Sequence, residues 1–148
     1  MPLETELSGR TEASLVAEVR PQVSGIVTDR LFAEGGWVRA GQPLYQIDSR
    51  LYAASSQQAR AALASAEATV EANRLKAERF RTLSAEGGVS KQDAADALAA
   101  YNQSRAAVAQ ARAALASASV NLGFTRVSSP ISGRIGRSSV TKGALVTA

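Results

Sequence analysis

The middle of the chain carries a seven-residue repeat of apolar and small residues within an otherwise polar sequence. The first series, with alternating spacings of four and three, consists of Tyr52, Ser56, Ala59, Leu63, Ala66, Val70, Asn73, Ala77 and Phe80. A second series with the same spacings consists of Ala94, Ala97, Tyr101, Ser104, Val108, Ala111, Leu115, Ala118 and Leu122. Such spacing is typical of two α-helices that meet along a narrow seam, as in a coiled coil.

The residues between and before these series predict where the helices begin and end. Gly87 and Gly88 can adopt the left-handed conformation that terminates a helix, and Ser90 with Asp93 has the form of an N-terminal capping box. The pair Asp48-Ser49 offers an N-cap to the first helix. We therefore expect helices at about 50–84 and 90–122, joined by a tip at 85–89, that form an antiparallel rod on the order of 50 Å long.

The two flanks of this region resemble each other. Residues 23–27 (Val-Ser-Gly-Ile-Val) match residues 131–135 (Ile-Ser-Gly-Arg-Ile), and each run is followed by an apolar segment that begins with glycine. Short β-branched runs interrupted by Gly and Pro predict strands and tight turns, so the flanks are expected to form a two-fold-like sheet sandwich into which the rod is inserted. The predicted turn glycines are Gly25, Gly36, Gly41, Gly133 and Gly143.

Composition supports the helical region and excludes most catalytic chemistry. Residues 49–122 hold 24 of the 30 alanines and no proline, which favours a thin, closely packed helix pair. The absence of Cys and His excludes thiol nucleophiles, imidazole bases and Cys/His metal sites. The carboxylate pairs Asp93/Asp96 and Glu67/Glu71 fall on convex helix surfaces and are interpreted as solvated charge, so we expect no enzymatic activity.

Net charge does not indicate a nucleic-acid partner. The chain has a formal charge of +4 and a pI near 10.0. Its arginines are nevertheless spread singly along the sequence, with few aromatic residues among them for base stacking. We therefore interpret the basic residues as a solvated surface.

Residues 18–48 and 125–146, in this order around the predicted hairpin, resemble the two half-motifs of periplasmic adaptor proteins, the membrane fusion family, of tripartite RND multidrug efflux pumps. The resemblance implies an α+β fold: a lipoyl-like (barrel-sandwich hybrid) domain split into halves 18–48 and 123–148, with the α-helical coiled-coil hairpin 49–122 between them. Residues 1–17 would be a lead-in strand, partly frayed, from a β-barrel region. Complete adaptors continue into that barrel and a membrane-proximal domain, so we expect the chain to be part of a longer protein.

The resemblance also implies a function and partners. The hairpin tip would dock on a TolC-type outer-membrane channel through Arg79, Leu83 and Ser90, which stand at the spacings of the family's tip motif. The other domains would bind an inner-membrane RND transporter, and the adaptor would self-associate as a trimer or hexamer in the periplasm of a Gram-negative bacterium, attached to the inner membrane. Each tip residue also has a simpler role: Ser90 as a helix cap, Leu83 as the end of the seam and Arg79 as a solvated charge.

Three alternatives remain open at this point. The adaptors of ABC-type exporters and type I secretion systems share the half-motifs and the hairpin. A biotin or lipoate carrier has the same β fold, but it needs a lysine at the turn between its halves, where this chain has the hairpin; Lys76, Lys91 and Lys142 all lie elsewhere. The helix pair could also lie on a membrane, although its weakly apolar seam favours a partner helix. No cofactor is expected.

Overall fold

The computed structural model describes residues 9–148, which form a small β domain and a long helical hairpin. The strands are β1 Gly25–Arg30, β2 Trp37–Val38, β3 Pro43–Ile47, β4 Arg126–Ser128, β5 Gly133–Arg134 and β6 Leu145–Val146. The helices, α1 Arg50–Ala85 and α2 Lys91–Phe124, lie between β3 and β4. The expected fold class, a split barrel-sandwich domain with an inserted hairpin, is confirmed.

The two helices pack along the predicted seams. Every position of both series is buried or half-buried, whereas most other helix positions are exposed. The seam is closed mainly by small side chains, and the most buried of them are Ser56, Ala97 and Ser104. Two bonds cross between the antiparallel helices: Asn73 Nδ2 donates to Ala100 O (3.4 Å), and Glu67 pairs with Arg112 (3.1 Å). At 1.5 Å per residue, 36 residues of α1 make a rod about 54 Å long.

The start of α1 differs in detail from the expected N-cap. Ser49 has helical backbone angles (φ −92°, ψ −3°) and its side chain makes no capping bond. Asp48 satisfies the helix instead, because its Oδ1 accepts the backbone N–H of Arg50 at 3.0 Å. The same carboxylate forms an ion pair with the Arg50 guanidinium at 2.6 Å.

The β domain consists of one four-stranded sheet, in the order β4-β3-β1-β6, and one two-stranded sheet, β2-β5. All pairs are antiparallel. β1 and β3 belong to the first half of the chain, whereas β6 and β4, which pair with them, belong to the second. Neither half can therefore complete its sheet alone.

The two halves are an internal repeat in which equivalent residues stand 108 positions apart. The similarity extends to individual hydrogen bonds. Gly25 pairs with Val146, and their counterparts Gly133 and Val38 pair in the same way. Gly143 N–H donates to Val27 O at 2.8 Å, and the counterpart of this bond joins Gly35 to Ile135 O at 3.0 Å. Gly35 and Gly143 have φ of 73° and 87°, the left-handed region that suits glycine. The predicted two-fold similarity thus reaches the hydrogen-bond register.

Three details of the predicted β domain are corrected. Gly25 and Gly133 lie in strands β1 and β5 rather than in turns. The left-handed glycine before β2 is Gly35, and Gly36 follows it with its N–H bonded to Ala33 O at 3.1 Å. Residues 9–17 form no strand, and the rest of the expected lead-in strand falls on residues 1–8, which lie outside the described residues.

The core of the β domain is small and lies mainly beneath the first half. Its buried side chains are Val23, Val27, Val38, Leu44 and Ile47. Leu44 and Ile47, both from β3, are the large side chains with almost no exposed surface. Across residues 9–148, neither helix has an apolar stretch sufficient to cross a lipid bilayer.

Candidate docking site at the hairpin tip

The tip loop, residues 86–90, is held in one conformation by backbone hydrogen bonds. Gly87 has φ 76°, and its N–H donates to Ser84 O at 3.3 Å. Gly88 N–H donates to Leu83 O at 2.8 Å. This pair of bonds forms a Schellman motif, which satisfies carbonyl groups at the end of α1 that would otherwise lack partners. The glycines predicted to form the turn therefore set the conformation of the tip loop.

Arg79 presents a guanidinium that no described residue pairs with. Its neighbours at helical spacings of three and four are Leu75, Lys76, Thr82 and Leu83, none of which is acidic. The nearby carboxylates Glu71 and Glu78 are both bound by Arg74, at 2.7 and 2.6 Å. These contacts raise the pKa of Arg74 above its ordinary value, chiefly through the hydrogen bond to Glu71. The exposed charge of Arg79 thus has no local partner and is available to another molecule.

Leu83 lies half-buried at the end of α1, beside the glycine turn. A methyl group at Gly88 would lie 3.6 Å from its Cδ2 atom, so the leucine covers the turn closely. Part of its side chain remains exposed and offers an apolar contact surface next to the Arg79 charge.

Ser90 forms the N-cap of α2. Its Oγ accepts the Asp93 N–H at 3.0 Å and donates to Asp93 Oδ2 at 2.6 Å. The Asp93 carboxylate therefore binds the serine hydroxyl, whereas in a reciprocal capping box it would accept the serine backbone N–H. Since the hydroxyl proton is already used, Ser90 can offer another molecule only its remaining lone pair.

Side-chain and backbone bonds hold the base of the hairpin against the β domain. Ile47 N–H at the end of β3 donates to Thr125 O at 2.8 Å, which joins the two ends of the hairpin. Asp48 N–H donates to Ile26 O at 2.8 Å. The Tyr52 hydroxyl, in the first turn of α1, donates to Ser24 O at 2.7 Å. These bonds fix the direction of the rod and hence the place of the tip relative to the sheets.

No catalytic arrangement accompanies the tip in the part of the chain that the structure describes. Glu67 pairs with Arg112 and Glu71 with Arg74, so these carboxylates are surface ion pairs. Within residues 9–148 no group of three or more acidic side chains comes together as a metal site would need. Lys142 lies in a turn of the second half, where its Nζ pairs with Asp29 at 2.8 Å.

Sequence reasoning missed two residues that join the halves of the domain. Ser24 Oγ accepts the Ala148 N–H at 3.2 Å, and Ser132 Oγ accepts the Ala40 N–H at 2.8 Å. The Ser-Gly dipeptide common to both repeats is the sequence signal that marks these serines.

Comparison with known proteins agrees with this architecture. Residues 15–148 match the family model described as RND MFP, barrel-sandwich hybrid domain. The multidrug resistance protein MexA of Pseudomonas aeruginosa is 57% identical over 145 residues, which cover 98% of this chain and 34% of that protein. The multidrug efflux pump subunit AcrA of Escherichia coli is 49% identical over 146 residues, covering 99% and 37%. The chain thus spans about a third of the length of these relatives.

Solved structures show the same arrangement of hairpin and β domain. MacA from Actinobacillus actinomycetemcomitans superposes with a TM-score of 0.72 at 28% identity, over 91% of this chain and 46% of that one. A MacA-MexA chimeric protein with the Pseudomonas aeruginosa MexA α-hairpin domain superposes with a TM-score of 0.55 at 39% identity, over 93% and 45%. From the family match, these identities and the shared fold, we conclude that the chain belongs to the RND membrane fusion proteins, whose barrel-sandwich hybrid domain its residues 15–148 match.

Proposed function

We propose that this chain is the β domain and hairpin of a periplasmic adaptor in a tripartite drug efflux pump. The adaptor links an inner-membrane RND transporter to a TolC-type outer-membrane channel, and the hairpin tip makes the contact with the channel. Adaptor copies associate around the pump axis as a trimer or hexamer, in the periplasm of a Gram-negative bacterium. Membership of the RND membrane fusion proteins supports this assignment.

The observation that carries the docking proposal is the exposed Arg79 charge, which pairs with no residue in the range 9–148 and lies one helical turn before Leu83 and the glycine turn. A guanidinium without a local acid can donate to carboxylates or to the carbonyl groups at the helix ends of a partner. The exposed part of Leu83 adds apolar contact, and Ser90 closes the far side of the turn while keeping one lone pair free. A rod about 54 Å long, held firmly at its base, presents this set at a distance from the β domain.

The test uses the full-length adaptor, with Arg79→Asp, Leu83→Asp and Ser90→Asp introduced separately. We expect each variant to lose site-specific crosslinking to the channel and to lose drug resistance, while circular dichroism shows an unchanged helix content. Arg60→Asp makes the same charge change at an exposed position far down α1 and should retain both activities. Crosslinking and resistance that persist in all three tip variants would contradict docking through these residues.

A further inference from the structure

A groove runs along one side of the hairpin, between α1 and α2 and close to the tip. It has a volume of about 400 Å³. Its small side chains are Ala77, Ala94 and Ala95, and its large apolar ones are Leu98 and Tyr101. Leu98 is 53% exposed, which is high for a leucine on a packed helix pair. At 1.5 Å per residue, the groove extends from about 6 to about 16 Å below the end of α1.

The groove and the surface formed by Arg79 and Leu83 lie on opposite sides of α1. Successive residues of an α-helix are rotated by about 100°, so residues four apart, such as Arg79 and Leu83, project to nearly the same side. Arg81 stands midway between them in sequence, about 180° away from their mean direction, and it lines the groove. The end of the hairpin thus has two separate sides, each with an arginine and a partly exposed leucine: Arg79 with Leu83, and Arg81 with Leu98.

The charge of Arg81 has no partner among residues 9–148. Arg81 is exposed, and the acidic residue at a helical spacing from it is Glu78, three positions earlier. Glu78 is bound by Arg74 at 2.6 Å, and the same arginine binds Glu71 at 2.7 Å. Because Arg74 engages both glutamates on this side of α1, the Arg81 guanidinium remains free to bind another molecule.

Arg105 brings a second free charge to the other end of the groove. Its guanidinium lies over the Tyr101 ring, 5.8 Å from the ring centroid. It forms no ion pair with any residue in the described range, 9–148. Its neighbours at helical spacings are not acidic: Tyr101, Asn102, Val108 and Ala109. An unpaired guanidinium therefore stands at each end of the apolar wall.

The Tyr101 hydroxyl is a third free donor in the groove. The Tyr101 side chain is half-buried, and its hydroxyl makes no hydrogen bond to any residue that the structure describes. Within this range no polar side-chain atom is both fully buried and without a partner, so the hydroxyl reaches the surface. Two guanidinium groups and a phenol O–H around an apolar wall suit a partner that offers acceptor oxygens beside an apolar side chain.

We propose that this groove binds a second segment of the outer-membrane channel, on the opposite side of the tip from the Arg79 contact. This inference rests on the proposed docking of the tip on that channel. The segment is the C-terminal end of an α-helix, whose free carbonyl groups and partial negative charge accept hydrogen bonds from Arg81 and from the Tyr101 hydroxyl. An apolar side chain of that helix packs on Leu98, and the alanines of the groove let its backbone approach closely. The channel then holds the tip from both sides.

Charge and position favour the channel over a second copy of this chain. Contact between the same sides of two copies would bring the unpaired Arg81 and Arg105 of one copy against the same basic groups of the other, which like-charge repulsion disfavours. The near end of the groove, about 6 Å below the end of α1, also adjoins the contact proposed for the tip. A partner that reaches Arg79 therefore has the groove within reach.

The first test is photo-crosslinking of the full-length adaptor to the TolC-type channel of the same bacterium, held in lipid nanodiscs. Benzoylphenylalanine at position 98 should crosslink to the channel. The matched control carries it at position 119, where the exposed Ser119 lies on the same side of α2 and about 31 Å farther from the tip. The control should give no crosslink to the channel.

The second test measures the Kd of the full-length adaptor for the same channel by biolayer interferometry. Arg81→Gln should raise the Kd by about tenfold, because it removes a charge-assisted hydrogen bond. Tyr101→Phe keeps the ring and removes only the hydroxyl, so it should raise the Kd by about threefold. Arg60→Gln is the matched control, since Arg60 is exposed on the same side of α1, 21 residues before Arg81, and it should leave the Kd unchanged.

Two results would overturn the proposal. One is a crosslink from position 98 to a second adaptor copy, or to no protein, and the other is a Kd of Arg81→Gln and Tyr101→Phe equal to that of Arg60→Gln. Benzoylphenylalanine at position 76, on the Arg79 side, separates this inference from the docking proposal. A channel crosslink from position 76 without one from position 98 would refute the second contact alone, whereas no crosslink from either position would refute docking of the tip.

Discussion

Ser24 and Ser132, which stand 108 positions apart, make the same bond in opposite directions between the halves of the β domain. The Ser24 hydroxyl of the first half accepts the N–H of Ala148 at 3.2 Å. The Ser132 hydroxyl of the second half accepts the N–H of Ala40 at 2.8 Å. Each serine precedes the glycine that begins a strand, so its side chain ties that strand to the chain segment that follows the neighbouring strand.

We expect Ser24→Ala and Ser132→Ala each to lower the free energy of unfolding by about 0.5–1 kcal/mol, since each removes one hydrogen bond at an exposed site. Urea denaturation followed by circular dichroism measures the change. Ser139→Ala is the matched control, because the Ser139 hydroxyl makes no hydrogen bond to any residue in the range 9–148. Variants that match the control in stability would show that these bonds do not hold the halves together.

The equivalent glycines Gly25 and Gly133 should respond differently to the same substitution. Gly25→Ala places a methyl group 2.6 Å from Ile47 Cγ2, and Ile47 is only 1% exposed, so either the Ile47 side chain or the two strands must shift. The expected loss of stability is about 1–3 kcal/mol. Gly133→Ala should cost much less, because its methyl group meets open space. Equal losses at the two positions, measured by urea denaturation, would contradict the close approach of β1 and β3.

The capping role of Ser90 can be separated from docking. Ser90→Ala removes the acceptor for the Asp93 N–H and should destabilise the hairpin by about 1 kcal/mol, whereas Ser90→Asn keeps a side-chain acceptor and should cost only a few tenths. Thermal unfolding of the two variants measures the difference. If Ser90→Asn and Ser90→Ala are equally destabilised, the serine does not act as the cap of α2.

The start of α1 should depend on pH in the acid range. Hydrogen bonds from the Arg50 guanidinium and from its backbone N–H lower the pKa of Asp48 from its ordinary value of 3.8 to about 2. Because the folded-state pKa is below the unfolded one, the stabilisation is fully present above about pH 4 and is lost as the pH falls toward 2. Titration of the Asp48 carboxyl by NMR measures this pKa.

Arg50→Gln serves as the comparison for this titration. It removes the charged partner and should return the pKa of Asp48 toward 3.8. An Asp48 pKa that is the same in both proteins would rule out the ion pair as its cause.

The sequence predicted the helices well because their signals are local. The alternating spacing of the seam is a property of a single helix, and every one of its positions is buried or half-buried. The residue that caps the start of α1 does not follow from the sequence alone, because Asp48 and Ser49 are both good capping residues. Which of them caps the helix depends on the backbone angles. The expected lead-in strand at 1–17 is a third kind of case: a strand needs a partner, and its described part, residues 9–17, pairs with no strand among the described residues.

The β domain shows the same limit. The sequence repeat predicted similar halves, but two adjacent glycines gave no means of choosing between Gly35 and Gly36 for the left-handed position. The tip residues Arg79, Leu83 and Ser90 were proposed from a family resemblance, and the structure adds only their local environments. What a guanidinium binds depends on a partner surface, which the sequence of one chain does not describe.

The pairing of β1 with β6 has a consequence for the order in which the molecule assembles. Gly25 pairs with Val146, so the pairing of β1 with β6 cannot form during synthesis until the chain has emerged as far as Val146. The hairpin, in contrast, folds from residues that are close in sequence, and helix formation is fast compared with the pairing of distant strands. When α1 and α2 have packed together, Ile47 and Thr125 lie side by side. Formation of the hairpin has then already offset the entropic cost of bringing the two halves of the β domain together. Early formation of the hairpin therefore also assists folding of the β domain. We expect pulse-labelled amide exchange to show protected amides in the hairpin before the sheets. Simultaneous protection of both would refute this order.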